Sequence, residues 1–340
     1  MTDATAPAPR RGWWWLVLAV VVFTAAAGVP MAHTLLPVHD ALLLVLPSLA
    51  VCAVVGWWRG GSGLLTVTLL AAAAVPVART VAGGVAVELL TAGWSVLAGG
   101  CLGIALLAAR STRFLVRGVA AVLGALLVSA VLLAVTPRGP GALAATVTQA
   151  LEVRGNVDLT IWRMTRSQMM RSGTQRTDSA TTALLDRVEQ TVGALPQLAR
   201  LVLPSMLALQ TLAGMAVAWA LFHRFSRTRL GAELGRLRDF RFDDQWIWSV
   251  IVGLVIALLP ALVELRPLGI NLLVFFGALY AMRGAAVLAW FLRPGRSLLG
   301  LLVGVALLLL LRDGAAIALG LVGVGDTWAD WRRRIRPAVS

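Results

Sequence analysis

Long apolar runs separated by short polar segments dominate the pattern of this chain. The runs are continuous, rich in Ala, Leu and Val and about 20 residues long, which is typical of helices that cross a bilayer rather than of alternating barrel strands. Eight runs are long enough for full spans: Trp13–Ala32, Ala41–Trp58, Ser62–Val81, Ala92–Ala108, Phe114–Val135, Leu198–Phe222, Trp246–Val263 and Leu268–Leu292. A ninth run, Ser297–Gly325, is interrupted by Arg312, Asp313 and Gly314. The pattern therefore predicts an all-α fold, a polytopic transmembrane helix bundle of eight full spans plus a ninth, interrupted apolar segment.

The only long polar region divides the apolar runs into two groups and is predicted to form two or three amphipathic helices. We predict five regions: a disordered N-terminus at 1–12, a five-span membrane half at 13–136, the polar helical insertion at 137–196, a C-terminal membrane half at 197–325 that contains a basic linker at 223–245, and a basic tail at 326–340. Within the linker, Leu230, Leu234 and Leu237 share one helical face among arginines. That spacing predicts a helix lying among the lipid headgroups.

The composition agrees with a membrane protein and excludes several chemistries. Charged residues make up 14% of the chain, whereas soluble domains carry about 25%. The net charge of +14 is carried by arginine, because the chain contains no lysine. A Walker A motif and a Schiff-base lysine are therefore excluded, and ATP-driven work would need another subunit. The two cysteines, Cys52 and Cys101, lie in separate apolar runs and form neither a disulfide framework nor a metal motif.

Arginine clusters beside the spans predict the orientation in the cell inner (cytoplasmic) membrane. By the positive-inside rule the N-terminus, the linker and the tail at 332–336 face the cytoplasm, and the insertion lies outside. For the tail to return, Ser297–Leu311 and Ala315–Gly325 must form a hairpin that turns at Gly314. The alternative is one continuous span, in which Arg312 and Asp313 are charges at mid-membrane.

Arg283 is the first candidate ligand-binding residue, because it lies within a predicted span. Insertion scales put the cost of a central arginine at roughly 2.5–3.5 kcal/mol, so it either offsets the charge of an anionic ligand or extends its side chain to the cytoplasmic interface. Glu88, in a glycine-rich link between spans, and Asn271 are the other candidates. Arg312 and Asp313 are candidate intramembrane charges, with a hairpin turn near water as the alternative.

The sequence predicts no enzyme, cofactor or metal site. No Ser/His/Asp arrangement or zinc-binding helix motif is present, and two histidines in one loop, His33 and His39, are weak evidence for a metal. Two pairs of glycines spaced four apart, one beginning at Gly99 and the other at Gly300, predict close helix packing or self-association.

Several motifs support a resemblance to known families. Asn271-Leu272-Leu273, Arg283-Gly284 and the closing Gly323–Arg334 resemble the YybS-like family of uncharacterised bacterial integral membrane proteins, over about Pro196–Arg336. Arg283 stands where that family pattern leads us to expect glutamine. The first half, with Gly60-Gly61-Ser62-Gly63 and a glycine-rich segment ending at Glu88, is similar to the substrate-binding membrane subunits of energy-coupling-factor vitamin transporters. That likeness implies a bound vitamin or precursor and separate ATPase partners.

Two hypotheses of function follow. The first is a solute-binding or transport component of the membrane that lacks its own ATPase. The alternative is a structural or assembly protein of the bacterial cell envelope. The predicted partners are the lipid bilayer, a separate ATPase or an envelope protein, and a second copy of the chain, but not nucleic acid.

Overall fold

The computed structural model describes residues 35–38, 40–108, 113–137, 139–171, 179–235, 237–292 and 314–331. Within these ranges the chain forms nine α-helices and no β-strand: α1 (Ala41–Trp58), α2 (Gly63–Gly83), α3 (Ala86–Ala108), α4 (Phe114–Val135), α5 (Gly139–Arg171), α6 (Ser179–Phe225), α7 (Ile247–Leu258), α8 (Arg266–Leu292) and α9 (Ala315–Ala329). The all-α prediction is confirmed. The predictions on Trp13–Ala32, His33, His39, Ser297–Leu311, Arg312, Asp313 and the tail at 332–336 concern residues outside the described ranges.

Six helical segments of the described chain are long and apolar enough to cross a membrane: α1, α2, α3, α4, Thr181–Phe225 of α6, and Pro260–Phe291, which includes most of α8. The predicted spans Ala41–Trp58 and Phe114–Val135 coincide with α1 and α4. The helix α2 begins at Gly63 because the hydroxyl of Ser62 accepts a hydrogen bond from the Leu65 N–H at 3.4 Å and caps it. It ends before Gly84, whose φ of 67° is left-handed.

The helix α3 begins six residues before the predicted run, at Ala86. Glu88 therefore lies in its first turn and not in a link between spans, as the sequence had indicated. A carboxylate there is favourable because it faces the unpaired N–H groups of the helix start. Further along, Gly99 packs against Pro47 and Gly103 against Val51. This glycine pair brings α3 onto α1 within one chain.

The insertion is a helical hairpin, and its second arm continues into a span. The helix α5 is 33 residues long, and α6 runs unbroken for 47 residues from the insertion through the predicted span Leu198–Phe222. The insertion thus contains two helices, as predicted, but no helix break separates it from the following span at Pro196. The ring of Pro196 packs directly over Gly155 of α5, which has no side chain to obstruct it. The two helices α5 and α6 are therefore closely packed at Pro196.

The linker does not form the predicted interfacial helix. Residues 226–235 are a loop, followed by the short 3-10 turns Leu237–Asp239 and Asp244–Trp246. Leu230 is buried in the protein core instead of facing lipid. Arginine side chains from two other parts of the chain donate hydrogen bonds to the carbonyl oxygen of Leu230. In a helix this oxygen would accept a hydrogen bond from the backbone N–H four residues later. Tertiary contacts therefore override the helical spacing of the leucines.

The predicted span Trp246–Val263 contains a much shorter α-helix. The helix α7 has 12 residues and ends at Leu258, and a 3-10 segment, Pro260–Leu265, leads into α8. Pro260 has no N–H to continue the helical ladder and its ring disfavours the α conformation in the preceding residue, Leu259. The extended φ and ψ of Leu259, −74° and 122°, agree with that restriction.

Candidate functional site

Arg283 lies at the centre of a buried charge cluster. Its Nε donates to Oδ2 of Asp326 at 3.0 Å, its Nη2 donates to the carbonyl of Asp326 at 3.3 Å, and its Nη1 donates to Oδ1 of Asp244 at 2.7 Å. The side chains of Arg283 and Asp326 are both 0% exposed, whereas Asp244 is about half exposed. The guanidinium of Arg283 is thus paired with two carboxylates from two other elements of the fold.

Aromatic rings enclose this charge cluster. The guanidinium carbon of Arg283 lies 5.4 Å from the ring centroid of Phe242, within the range of a cation–π contact. The ring of Phe242 packs edge-on against Tyr280, with ring centroids 5.0 Å apart, and in a tilted arrangement against Trp246, with centroids 5.3 Å apart. The hydroxyl of Tyr280 is buried beside that of Thr327, without a hydrogen bond of good geometry among the described residues. We call Arg283, Asp244, Asp326, Phe242 and Tyr280 the C-terminal charge centre.

Glycines allow α8 and α9 to approach closely enough to form this centre. A methyl group at Gly284 would overlap the carbonyl oxygen of Leu319, and one at Gly323 would overlap the carbonyl oxygen of Tyr280. The two backbones are therefore in direct contact at their crossing. Small residues permit this kind of packing between membrane helices. The Arg283-Gly284 pair seen in the sequence thus combines a charge with the crossing point that positions it.

The contacts also give the relative direction of the two helices. The backbone of Gly277 faces Gly320, and six residues further along both helices Arg283 faces Asp326. Because the numbers of the contacting residues rise together in the two helices, α8 and α9 run parallel and their C-terminal ends lie on the same side. The second limb of the predicted hairpin, Ala315–Gly325, lies in α9, and the hairpin itself stays a prediction. The first limb of that hairpin lies outside the described residues.

Two arginines hold the first half of the linker, near Leu230. Nη1 of Arg117, a buried residue of α4, donates to the carbonyl of Leu230 at 2.8 Å. Arg59 follows α1 and donates to the same carbonyl at 3.3 Å and to the carbonyl of Leu106 at 3.0 Å. The guanidinium of Arg117 also lies 5.9 Å from the ring centroid of Trp219. The residue that follows α1 and a residue of α4 thus both hold the linker at Leu230.

The end of the linker is fastened to the C-terminal helices. Besides the contact between Asp244 and Arg283, Arg241 donates to Asp330 at 2.9 Å, next to the end of α9. The linker therefore connects the two groups of membrane helices by charged contacts at both of its ends. It also lies on the same side of the bundle as the end of α9. That the tail at 332–336 shares this side, and that the side is cytoplasmic, stay predictions.

The predicted site residues do not form one site. Arg283 is in the C-terminal charge centre, but Glu88 is exposed at the start of α3, a helix that packs mainly on α1 and α4. The sequence analysis did not identify Asp244, Asp326 or Arg117. The sequence did offer a clue that Asp244 and Asp326 could pair with an arginine. Both lie at ends of apolar runs on the side predicted for the arginine clusters. Ligand binding by Arg283, Glu88 and Asn271 stays a prediction.

Asn271 contacts the backbone of α6 beside Pro204. Its Oδ1 accepts from the N–H of Ser205 at 2.9 Å, and its Nδ2 donates to the carbonyls of Leu201 and Pro267, both at 2.8 Å. In an uninterrupted helix the N–H of Ser205 would bond to Leu201, but Pro204 lies between them within α6. The amide of Asn271 therefore bridges two backbone groups that the proline separates.

Substituting Asn271 with alanine is expected to destabilise the full-length protein by about 0.5–1.5 kcal/mol, because partly buried backbone groups lose their partners. Thermal unfolding in detergent measures the effect. The chain offers a matched control in Asn156, which is exposed on α5, so Asn156→Ala should be close to neutral. Adding Pro204→Ala to the Asn271→Ala variant should recover part of the loss by restoring the helical bond. Equal effects of the two asparagine substitutions would contradict the assignment.

Among the described residues no group of three or more His, Cys, Asp or Glu side chains is arranged to hold a metal ion. A cleft of about 420 Å³ lies elsewhere, between the turn after α1 and the residues that follow α6. It is lined by Gly60, Gly61, Ser62, Leu65, Phe225, Ser226, Arg227 and Thr228.

A comparison with protein families finds a match over residues 17–327 to the family described as "Predicted membrane protein (DUF2232)". No curated protein and no solved structure matches the chain. The match agrees with the resemblance to an uncharacterised family of membrane proteins. The likeness to vitamin transporter subunits stays a prediction.

Proposed function

Since the chain belongs to the DUF2232 family of predicted membrane proteins, we propose that it serves as a membrane-embedded scaffold that holds another envelope protein. The observation that carries this proposal is an exposed apolar stripe on the hairpin of α5 and α6. A scaffold must present a surface in a fixed position relative to the membrane. The proposal therefore requires a hairpin that is rigid, firmly attached and able to recognise a partner.

Ion pairs make the hairpin rigid. Arg163 of α5 contacts Glu189 of α6 at 2.9 Å, and Arg166 contacts Asp186 at 2.7 Å and Glu189 at 2.8 Å. The hydrogen bonds from Arg163 and Arg166 hold the pKa of the Glu189 carboxyl below its usual range. Glu189 thus stays ionised in mild acid, and the pairs join the two helices.

The base of the hairpin is attached to the membrane bundle. Nη1 of Arg154 donates to the carbonyls of Leu36 and Pro37, at 3.4 and 3.5 Å, just before α1. The contact is partly buried, and this burial lowers the pKa of the Arg154 guanidinium. Because α6 is one helix, its outer arm also moves with its membrane segment. The hairpin is thereby fixed at two places.

The proposed partner surface is the stripe formed by Val153, Val157, Ile161 and Met164. These side chains are between 44% and 61% exposed, and their spacing of four, four and three residues places them on one face of α5. Exposed polar residues, Glu152, Asn156 and Thr160, adjoin them and keep the stripe narrow. A narrow stripe of this kind fits an amphipathic helix of a partner protein.

The charge beside the stripe supports an acidic partner helix. Arg163 is 66% exposed in its side chain even while it contacts Glu189, so it can still meet a carboxylate from outside. Electrostatic complementarity at the edge of an interface guides the encounter and selects the partner. We therefore expect the partner to be an envelope protein whose helix carries apolar residues flanked by Asp or Glu.

Transport of a solute without an intrinsic ATPase is the rival function. Intramembrane charges such as Arg283 commonly mark ion or substrate paths. Here the guanidinium is already paired with Asp326 and Asp244, so its charge is compensated without an anionic solute. This pairing favours the scaffold over the transporter. The following experiment separates the two.

A photo-crosslinking amino acid placed at Val157 in the full-length protein should capture one discrete envelope protein in intact cells. The same group at Gln190, which is exposed on α6 away from the stripe, is the matched control and should capture much less. Ile161→Asp should abolish capture from Val157, because it places a charge in the apolar contact. Capture of lipid alone or of a second copy alone would contradict the proposal, as would capture that Ile161→Asp leaves unchanged.

A further inference from the structure

The cleft between the turn after α1 and the end of α6 has the donors of an anion site. Its lining residues include Ser62, Ser226 and Thr228, which carry hydroxyls, and Arg227, and they include no acidic residue. The serine hydroxyls already accept hydrogen bonds, Ser62 from the Leu65 N–H and Ser226 from the Thr228 N–H at 3.1 Å. Their own O–H protons remain able to donate. Hydrogen-bond donors of this kind bind an oxyanion and not a cation.

Arg227 supplies the charge for such an anion. It is exposed on the cleft wall, and no ion pair joins it to a carboxylate in the described part of the chain. The nearest acids along the chain are engaged elsewhere, since Glu233 pairs with Arg229 and Asp239 with Arg238. A guanidinium presents several donors in one plane and matches the oxygens of a phosphate. The cleft therefore joins a positive charge to neutral donors.

Glycine keeps the floor of the cleft open. A Cβ at Gly61 would lie 2.8 Å from the carbonyl oxygen of Gly56 and 2.9 Å from Oγ1 of Thr228. The preceding Gly60 has a φ of 88°, a left-handed conformation that favours glycine. The turn can thus pack against Thr228 and leave its backbone accessible. A larger residue at position 61 would push Thr228 out of the lining.

The surroundings of the cleft place it at the edge of the bilayer. Trp57 and Trp58 are exposed immediately before the turn, and exposed tryptophans mark the membrane–water interface. Leu65 and Phe225 form an apolar part of the wall next to the polar groups. A ligand here can combine a charged group with an apolar portion, as a phospholipid does. A free phosphate would use the polar part alone.

We propose that this cleft binds a negatively charged phosphate group, held by Arg227 and the hydroxyls of Ser62, Ser226 and Thr228. The site is separate from the hairpin surface and does not depend on the scaffold function. The phosphate belongs either to the headgroup of an anionic phospholipid or to free phosphate. The same donors would serve both, and the sources are separated by the ligands tested.

Titration of the detergent-purified full-length protein tests the site, with the shift in melting temperature as the measure of binding. The probes are dihexanoyl phosphatidylglycerol, inorganic phosphate and, as a zwitterionic control, dihexanoyl phosphatidylcholine. We expect a saturable shift with phosphatidylglycerol, and a roughly tenfold weaker apparent Kd in Arg227→Gln, which loses a charge-assisted contact. Thr228→Val, a variant of nearly equal shape, should weaken binding by roughly threefold.

Arg238→Gln is the matched control, because it removes the same charge from the same linker outside the cleft. It should bind like the unmodified protein. A shift that inorganic phosphate reproduces assigns the site to free phosphate, and a shift confined to phosphatidylglycerol assigns it to lipid. The proposal is overturned if Arg227→Gln and Arg238→Gln behave alike, or if phosphatidylcholine is as effective as phosphatidylglycerol in every variant.

Discussion

Replacing Arg283 with methionine is expected to lower the stability of the folded protein by about 3–5 kcal/mol, the range observed when one partner of a buried ion pair is removed. Arg283 makes two hydrogen bonds to Asp326, whose side chain is completely buried, and one to Asp244. Methionine fills much of the same space but supplies no donor. The carboxylate of Asp326 would lose its contacts with the guanidinium in a place that water does not reach. Unfolding of the full-length protein in detergent or bicelles measures the loss.

Two variants decide whether charge pairing is the cause. Arg241→Gln breaks the partly exposed pair with Asp330 at the same end of α9, and should cost only about 0–1 kcal/mol. The double variant Arg283→Met with Asp326→Asn removes both charges and should recover part of the stability lost in Arg283→Met. If the double variant is as unstable as the sum of its parts, lost packing and not lost pairing is responsible. Equal effects of Arg283→Met and Arg241→Gln would also contradict the prediction.

The helices that were predicted best are those with strong local signals. The bounds of α1 match because Asp40 caps its start and polar residues follow Trp58. The helix α3 was predicted too short because Ala86 to Thr91 include Glu88, and the sequence pattern treated that charge as part of a link. A carboxylate in the first turn is compatible with a helix. Local sequence thus gives the type of element more reliably than its first residue.

The prediction of a helix in the linker was wrong for a different reason. The spacing of Leu230, Leu234 and Leu237 is helical, but the conformation of this segment depends on distant residues. Arg59 and Arg117 are 171 and 113 residues away from Leu230 in the chain, and both donate to its carbonyl. A helical pattern cannot anticipate that competition for a backbone acceptor. Tertiary contacts often override propensity in this way.

The partners of Arg283 also could not be predicted from local sequence, because they lie far from it along the chain. Asp244 lies 39 residues before it and Asp326 lies 43 residues after it. They meet only because α8 and α9 run parallel and the linker crosses beside them. The apolar pattern identified an arginine in a costly place. It could not show that the cost is met by carboxylates of the same chain and not by a ligand.

The crossing of α8 and α9 gives the second large expected effect. Gly284→Ala should destabilise the protein by about 3 kcal/mol, the upper part of the range for overpacked sites. The added methyl group would overlap the carbonyl oxygen of Leu319, which belongs to a helix backbone and cannot move aside as a side chain can. The helix α9 would have to shift as a whole. That shift would also separate Asp326 from Arg283.

The same helix provides the control for this effect. Gly277 lies two turns earlier in α8, and a Cβ added there meets nothing within 4 Å. Because alanine has the better helix propensity by about 1 kcal/mol, Gly277→Ala should be neutral or slightly stabilising. Thermal unfolding of the two variants and the unmodified protein in one detergent gives the comparison. If Gly284→Ala unfolds at the temperature of Gly277→Ala, the close approach of the two backbones is not what positions α9, and the C-terminal charge centre must be held by its ion pairs alone.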